Sequence, residues 1–213
     1  MSREPEGPLP ADRFEEILAG RAPAFGLEPD PGRRALLAAY LAELDRWRRR
    51  TNLTGRLSPE ELADHALEAL VASPLVADGE EVADIGSGAG FPGLPLAIWR
   101  PGVRITLVEP RAKRVAFLRH VTRQLALPNA AVIQARIQNV GGQTFDAATT
   151  RAVGGFDAWI GDAAFLRERG RLLAWTTDPA AVARELGPRF RRGREVPIPG
   201  SRTRTVATFE KLS

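Results

Sequence analysis

The sequence predicts an α/β fold in which a doubly wound, mostly parallel sheet of seven strands follows an N-terminal helical extension. Three observations lead there. From about Asp12 to Ala77 apolar residues recur at helical spacing, and no strand-like run interrupts them. After Gly79 short apolar runs alternate with helical segments, a pattern that implies parallel strands with both faces covered. A glycine-rich segment stands where the first strand would hand over to the first sheet helix. A chain of 213 residues, 44% hydrophobic, is long enough for one such core with a small appendage. The expected division is therefore residues 1–78 for the extension and 79–213 for the sheet domain.

Taken in order, the clearest early helix spans Pro31–Arg50, where Leu37, Tyr40, Leu41, Leu44 and Trp47 share one face and arginines the other. Pro31 suits a first helical turn. The next helix is predicted to begin at Ser58, with Glu61 completing a capping box, and to run towards Ser73 before Pro74. The predicted strands are Glu81–Ile85, Arg104–Glu109, Ala131–Gln134, Phe145–Thr149, Arg171–Thr176, Glu195–Ile198 and Thr205–Lys211. Helices are predicted between them at Pro92–Trp99, Ala112–Leu125, Gly155–Arg167 and Pro179–Leu186. The last two strands lack an intervening helix and should pair antiparallel around Pro199-Gly200.

Composition removes several kinds of chemistry. Without cysteine there is no disulfide, thiolate metal site or thiolate nucleophile. With only His65 and His120 as imidazoles, far apart in sequence, no metal centre is expected. No apolar run is long enough to span a bilayer, and the acidic residues of the N-terminal stretch do not suit a signal peptide, so a cytoplasmic protein is expected. The net charge is +4, and Lys113 and Lys211 are the only lysines among 30 basic residues. Arginine is favoured where a planar fork binds phosphate or a base edge, so arginine groups at 46–50, 111–123 and 189–194 are candidates for a nucleic-acid track or, equally, solvated faces.

The strongest local signal is the segment from Val82 to Gly93, VADIGSGAGFPG. Gly86, Gly88 and Gly90 let backbone approach a ligand closely and leave amides pointing at it. Glu109 closes the second strand, where a carboxylate can accept both hydroxyls of a ribose. Loop and acid together indicate an adenosine ligand. The spacing of Gly88, Gly90 and Gly93 also satisfies the dinucleotide fingerprint, which keeps a nicotinamide-dependent oxidoreductase open. Asp84 beside the loop would repel a pyrophosphate and suits an amino group instead, which favours S-adenosyl-L-methionine.

Several blocks resemble the RsmG (GidB) family of rRNA methyltransferases. Trp47 followed by Thr51-Asn52-Leu53-Thr54 is similar to its W-x-x-x-x-N-L-T signature, and His65 falls where the family has a histidine. Residues 84–95, DIGSGAGFPGLP, resemble its cofactor loop nearly throughout; Lys113-Arg114 with Phe117-Leu118, Ala135-Arg136 and Arg151-Ala152 match later positions. The resemblance covers about residues 40–155. It implies a seven-stranded class I methyltransferase (Rossmann-like) sheet and methylation of the 7-nitrogen of guanine 527 in 16S rRNA. It also implies S-adenosyl-L-methionine held by Gly86, Phe91, Ile137, Gln138 and Arg151, with Glu109 on the ribose. The chain departs from the family at Glu68-Ala69 (usually Asp-Ser), Gln138 (usually Glu) and Thr176-Thr177 (usually Lys-Gly).

The residues present agree with that acceptor. There is no cysteine for pyrimidine carbon-5, no Asn/Asp-Pro-Pro-aromatic loop for an exocyclic amine, and too few lysines for a K-D-K-E site. The guanine 7-nitrogen already offers a lone pair, so no general acid, base or nucleophile is expected. Arg136, Arg151 and His65 are the candidates for positioning substrate. The expected partner is 16S rRNA or the small ribosomal subunit, and the expected state a monomer. Another RNA, a small molecule or a protein remains the alternative acceptor.

Overall fold

The computed structural model describes residues 7–28, 30–151, 155–161 and 163–212. Three helices come first: α1 (Ala11–Arg21), α2 (Pro31–Arg48) and α3 (Pro59–Leu70). Asp30 caps α2 by accepting from the Arg33 amide, with Pro31 in the first turn. Ser58 and Glu61 exchange both bonds of the predicted capping box at the start of α3. Both helices end a little earlier than the periodicity suggests. At α2 the Thr51 amide folds back on the Trp47 carbonyl, and Ser73–Leu75 forms a separate short 3-10 turn after α3.

The sheet follows as β1 (Glu81–Ile85), α4 (Gly93–Trp99), β2 (Arg104–Val108), α5 (Ala112–Gln124), β3 (Ala130–Ile133), β4 (Phe145–Arg151), α6 (Phe156–Ile160), β5 (Leu166–Thr176), α7 (Pro179–Leu186), β6 (Phe190–Pro197) and β7 (Thr205–Lys211). The spatial order is β3-β2-β1-β4-β5-β7-β6. The first five strands are parallel, and β7 runs antiparallel to both β5 and β6. The antiparallel pair expected around Pro199-Gly200 is present. Its second strand lies inside the sheet and its first forms the rim.

Two apolar clusters explain the layering. Val82, Ile105, Leu107, Ala147, Leu173 and Val206 turn to one face, where they join Phe14, Leu41 and Leu67 of the first three helices and Leu94 and Phe117 of α4 and α5. Their strand neighbours Ala83, Val108, Ala148, Leu172 and Phe209 turn to the other face, with Phe156 of α6 and Val182 of α7. This is the period-2 alternation of strands covered on both sides. The N-terminal helices therefore share a core with the sheet instead of forming their own.

Two expectations need correction. The helix expected over Gly155–Arg167 is only Phe156–Ile160: Gly161 and Ala163 adopt positive φ (51° and 52°) and break it. The chain then enters β5 at Leu166, five residues before the strand expected at Arg171, and pairs Leu166 with Phe145 across a bulge. Arg169 has φ 56° within that irregular stretch. Strand β6 begins at Phe190 instead of Glu195. Its polar run, Arg191 to Glu195, is exposed on the outermost strand, where charge guards an open edge.

Candidate active site

The carboxyl ends of β1 and β2 open into a cleft of about 680 Å³, whose lining includes Gly86, Ser87, Gly88, Ala89, Phe91, Glu109, Arg111, Arg114, His65 and Arg151. Gly86, Gly88 and Gly90 all carry positive φ (71°, 57°, 102°), a conformation that side chains disfavour. At Gly90 a Cβ would also fall 2.4 Å from the Leu94 side chain. Helix α2 fixes this loop from behind: the Tyr40 hydroxyl, fully buried, donates to the Ala89 carbonyl at 2.9 Å.

Glu109 is 2% exposed, and its two oxygens accept from the Gly88 amide (3.0 Å) and the Arg111 amide (2.9 Å). Arg114 stands 3.8 Å away. The carboxylate is thus held rigid at the cleft floor with acceptor capacity left over.

Asp84 does not line the cleft. It is 1% exposed and accepts from the Gly93 amide (3.2 Å) and the Thr149 hydroxyl (3.1 Å). Its pKa is raised to about 6 because burial outweighs those hydrogen bonds. The expectation that it meets a ligand's amino group directly is therefore corrected: it ties the start of α4 to β1 and β4.

On the other side of the cleft, Phe91 sits among Tyr40 (ring centroids 5.5 Å apart), His65 (5.8 Å) and the Arg151 guanidinium (5.9 Å). Arg151 donates to the His65 carbonyl (3.1 Å), to Glu68 (2.7 Å) and to the His65 Nδ1. Glu68, 4% exposed, also binds Arg204 at 2.6 Å and receives the Trp175 indole N–H on its carbonyl at 3.2 Å. Burial, then the positive charge of Arg151 and Arg204, lowers the His65 pKa to about 4, so the ring is neutral at pH 7 and its Nδ1 can accept. Burial also pulls Arg151 below its ordinary value while Glu68 pushes it back up. Arg151 is thus a buried, paired group and not a loose surface ion.

The structure gathers Gly86, Gly88, Phe91, Glu109, His65 and Arg151 around this cleft. It does not bring Arg136, Ile137 or Gln138 into it. They follow β3, whose last residue accepts from the Glu109 amide at 3.1 Å, but Arg136 and Gln138 point to solvent. The Ile137 side chain, 3% exposed, packs in the core of the second sheet face and is not free to flank a ring. Sequence reading missed Tyr40, which looked like one more apolar face residue, and Arg204, which no motif marks. Glu68 stood out only as a departure; with Thr176 and Thr177 it lines a second cavity beside Arg151. Ala152 lies outside the described residues.

A sheet of five parallel strands with an antiparallel strand, β7, set between β5 and β6, together with a glycine loop after β1 and an acid just past β2, is the arrangement of the class I methyltransferase (Rossmann-like) fold. A solved ribosomal protein L11 methylase from Lactobacillus delbrueckii subsp. bulgaricus shares this fold, with a TM-score of 0.58 at 10% identity over 71% of this chain and 80% of that one. Residues 33–181 match the family GidB, described as rRNA small subunit methyltransferase G. Proteins named ribosomal RNA small subunit methyltransferase G are 37% identical in Roseiflexus sp. (93% of this chain, 92% of that one) and 37% identical in Anaeromyxobacter dehalogenans strain 2CP-1 (76% and 77%). The chain belongs to this methyltransferase family, which removes the nicotinamide alternative.

Proposed function

We propose that this chain binds S-adenosyl-L-methionine in the cleft at β1 and β2 and methylates the 7-nitrogen of guanine 527 in 16S rRNA. The observation that carries the reading is the rigid pairing of the Glu109 carboxylate with the amide of Gly88, which offers acceptors for ribose hydroxyls beside a loop too tight for side chains. Gly86, Gly88, Gly90 and Phe91 would hold the rest of the cofactor, with Arg151 near its polar end. Asp84 would act from behind, by fixing the loop. Ile137 and Gln138 could contribute backbone groups from beyond β3. Residues 1–78 serve, on this reading, as a helical extension that shapes the RNA-facing side of domain 79–213.

When bound, that cofactor supplies a sulfonium methyl: the acceptor lone pair forms the N–C bond as the S–C bond breaks, positive charge passes to the purine, and no proton leaves. The residues here suit a reaction of that kind. Among the described residues none lining the cleft is placed as a general base, and the neutral His65 adds no charge. Arg151 would oppose a purine that becomes cationic, but Glu68 at 2.7 Å offsets its charge. Catalysis then rests on holding the acceptor nitrogen in line, an ordering effect of up to about 7–11 kcal/mol.

The same reading has the protein work as a monomer in the cytoplasm, on 16S rRNA or the small subunit. Among the described residues Leu212 is the one large hydrophobic side chain left exposed, which supports a surface without an oligomer patch. No described helix is long and apolar enough to cross a membrane. The test is to express the chain in a strain lacking the guanine 527 modification and to assay that site for the 7-methyl mark. The mark should return. A stable protein that binds S-adenosylhomocysteine yet leaves the site unmarked would remove this substrate and leave the cofactor reading standing.

A further inference from the structure

The loop between α2 and α3 forms one wall of the cleft at β1 and β2, through Leu53, Thr54, Gly55 and Leu57. Thr54, Gly55 and Leu57 also line a neighbouring hollow, together with Leu9, Asp45, Arg48 and Arg49. The wall is therefore thin, with a space on either side. Leu53 is buried in the core at one end of it, and the Ser58 cap fixes the other. Among the described residues, one hydrogen bond joins the span 54–57 to another element: Arg48 Nη1 donates to the Leu57 carbonyl at 2.6 Å.

Arg48 is in turn held by Asp45, whose Oδ1 accepts from Nε at 2.8 Å and stands 2.6 Å from Nη2. The other carboxylate oxygen accepts from the Leu9 amide at 2.9 Å, with Arg49 at 3.5 Å. Asp45 is 1% exposed and lies in the last turn of α2, where the helix dipole disfavours negative charge. A buried ion pair is weak evidence for stability, because desolvation offsets much of its attraction. Its geometric effect is specific, since it leaves the remaining arm of the guanidinium fork aimed at the loop.

We propose that Asp45 and Arg48 are positioning residues that clasp the loop 54–57 as the wall of the cofactor site. The inference rests on the cofactor half of the function proposed above and not on the identity of the acceptor. Neither residue lines the cleft, so both act through the Leu57 backbone. A wall of this kind stabilises bound cofactor in the ground and transition states alike, so its loss raises KM for the cofactor and leaves kcat unchanged.

Arg48→Met alone would leave the Asp45 charge buried without its main partner, so the test variant is Asp45→Asn with Arg48→Met. It removes both charges, keeps an acceptor for the Leu9 amide and loses the donor to Leu57. In the full chain Tm should stay within about 4 °C of wild type. The Kd for S-adenosylhomocysteine, by calorimetry with no RNA present, should rise about three- to tenfold, the net worth of one hydrogen bond. KM for S-adenosyl-L-methionine should rise by a similar factor, with kcat on unmodified small subunits unchanged. Amide hydrogens of residues 53–57 should exchange faster than in wild type, while those of α2 and α3 do not. Arg48→Lys, which keeps a charged donor beside Asp45, should fall between the two in each reading. Wild-type Kd and wild-type exchange in the double variant would overturn the clasp alone. Faster exchange throughout α2 and α3 with a fallen Tm would also overturn it, by marking the pair as structural. The Kd and exchange readings need no RNA, so they decide the clasp even if guanine 527 stays unmarked. A wild-type chain that binds no S-adenosylhomocysteine would overturn the clasp together with the cofactor reading.

Discussion

Arg151, Glu68, Arg204 and His65 form a chain of contacts at one wall of the cleft. The two arginines flank one carboxylate, and the imidazole beside them is held neutral. A histidine whose folded-state pKa falls from 6.5 to about 4 binds its proton more readily when unfolded. Its contribution is present above pH 6.5 and is lost as pH falls towards 4. Asp84, raised from 3.8 to about 6, acts oppositely: the folded state takes up the proton first, so acidification from pH 6 to 3.8 favours folding. The two effects offset each other across the same window. Replacing His65 with Gln should remove one of them. The stability advantage of wild type over His65→Gln should then shrink by about 1–2 kcal/mol between pH 7 and pH 4.5, after allowing for screening at the part-exposed ring. Urea melts at the two pH values measure this; a constant difference would show that the ring titrates normally.

The loop between β1 and α4 shows how much of the site could be read beforehand. Its glycines, Phe91 and Glu109 are consecutive or end a strand, and local chain geometry makes such residues legible. Arg151 was legible by its place at a strand end. What joins it to Glu68 and Arg204 was not, because those contacts link residues 83 and more positions apart and depend on how α3 settles on the sheet. Asp84 was read as facing the ligand because strand alternation alone does not reveal that Thr149 and Gly93 claim its oxygens. The elements show the same division. The starts of helices with sharp caps, such as α3 at Ser58, were found to the residue, though their ends were not. The span 155–167 failed because Phe156, Trp159 and Ile160 continue into Ala163 and Leu166 at a helical period, while Gly161 turns the chain between them. The loop itself gives the sharpest expectation. Gly90→Ala would put a methyl against Leu94 at φ 102°, so it should cost about 1–3 kcal/mol and weaken S-adenosylhomocysteine binding at least about tenfold by calorimetry. Unchanged binding would show that the loop relaxes at no cost.

Charge is distributed unevenly around the sheet. Arg46, Arg49 and Arg50 surround a hollow with Trp47, a neighbouring hollow takes in Arg48, Arg49 and Arg56, and that one shares Thr54, Gly55 and Leu57 with the cleft at β1 and β2. Arg111 and Arg114 continue the series into the cleft. Arg191, Arg192 and Arg194 lie apart, on the outermost strand β6 at the edge opposite β3. RNA affinity should therefore fall with salt, and Arg50→Ala with Arg56→Ala should lower the slope of log K against log salt by about 1–2, at about 0.7 per phosphate lost. Substituting Arg191 and Arg194 should leave the slope unchanged; equal effects from both pairs would mean that the RNA crosses the whole surface. The position of β7 has a consequence for biogenesis. Residues 205–211 are translated after β5 and β6, yet they fill the gap between those two strands. Until residues 205–211 are available, β5 therefore has one unpaired edge and β6 has no strand to pair with, so a chain stopped short of them leaves strand margins open to non-native pairing.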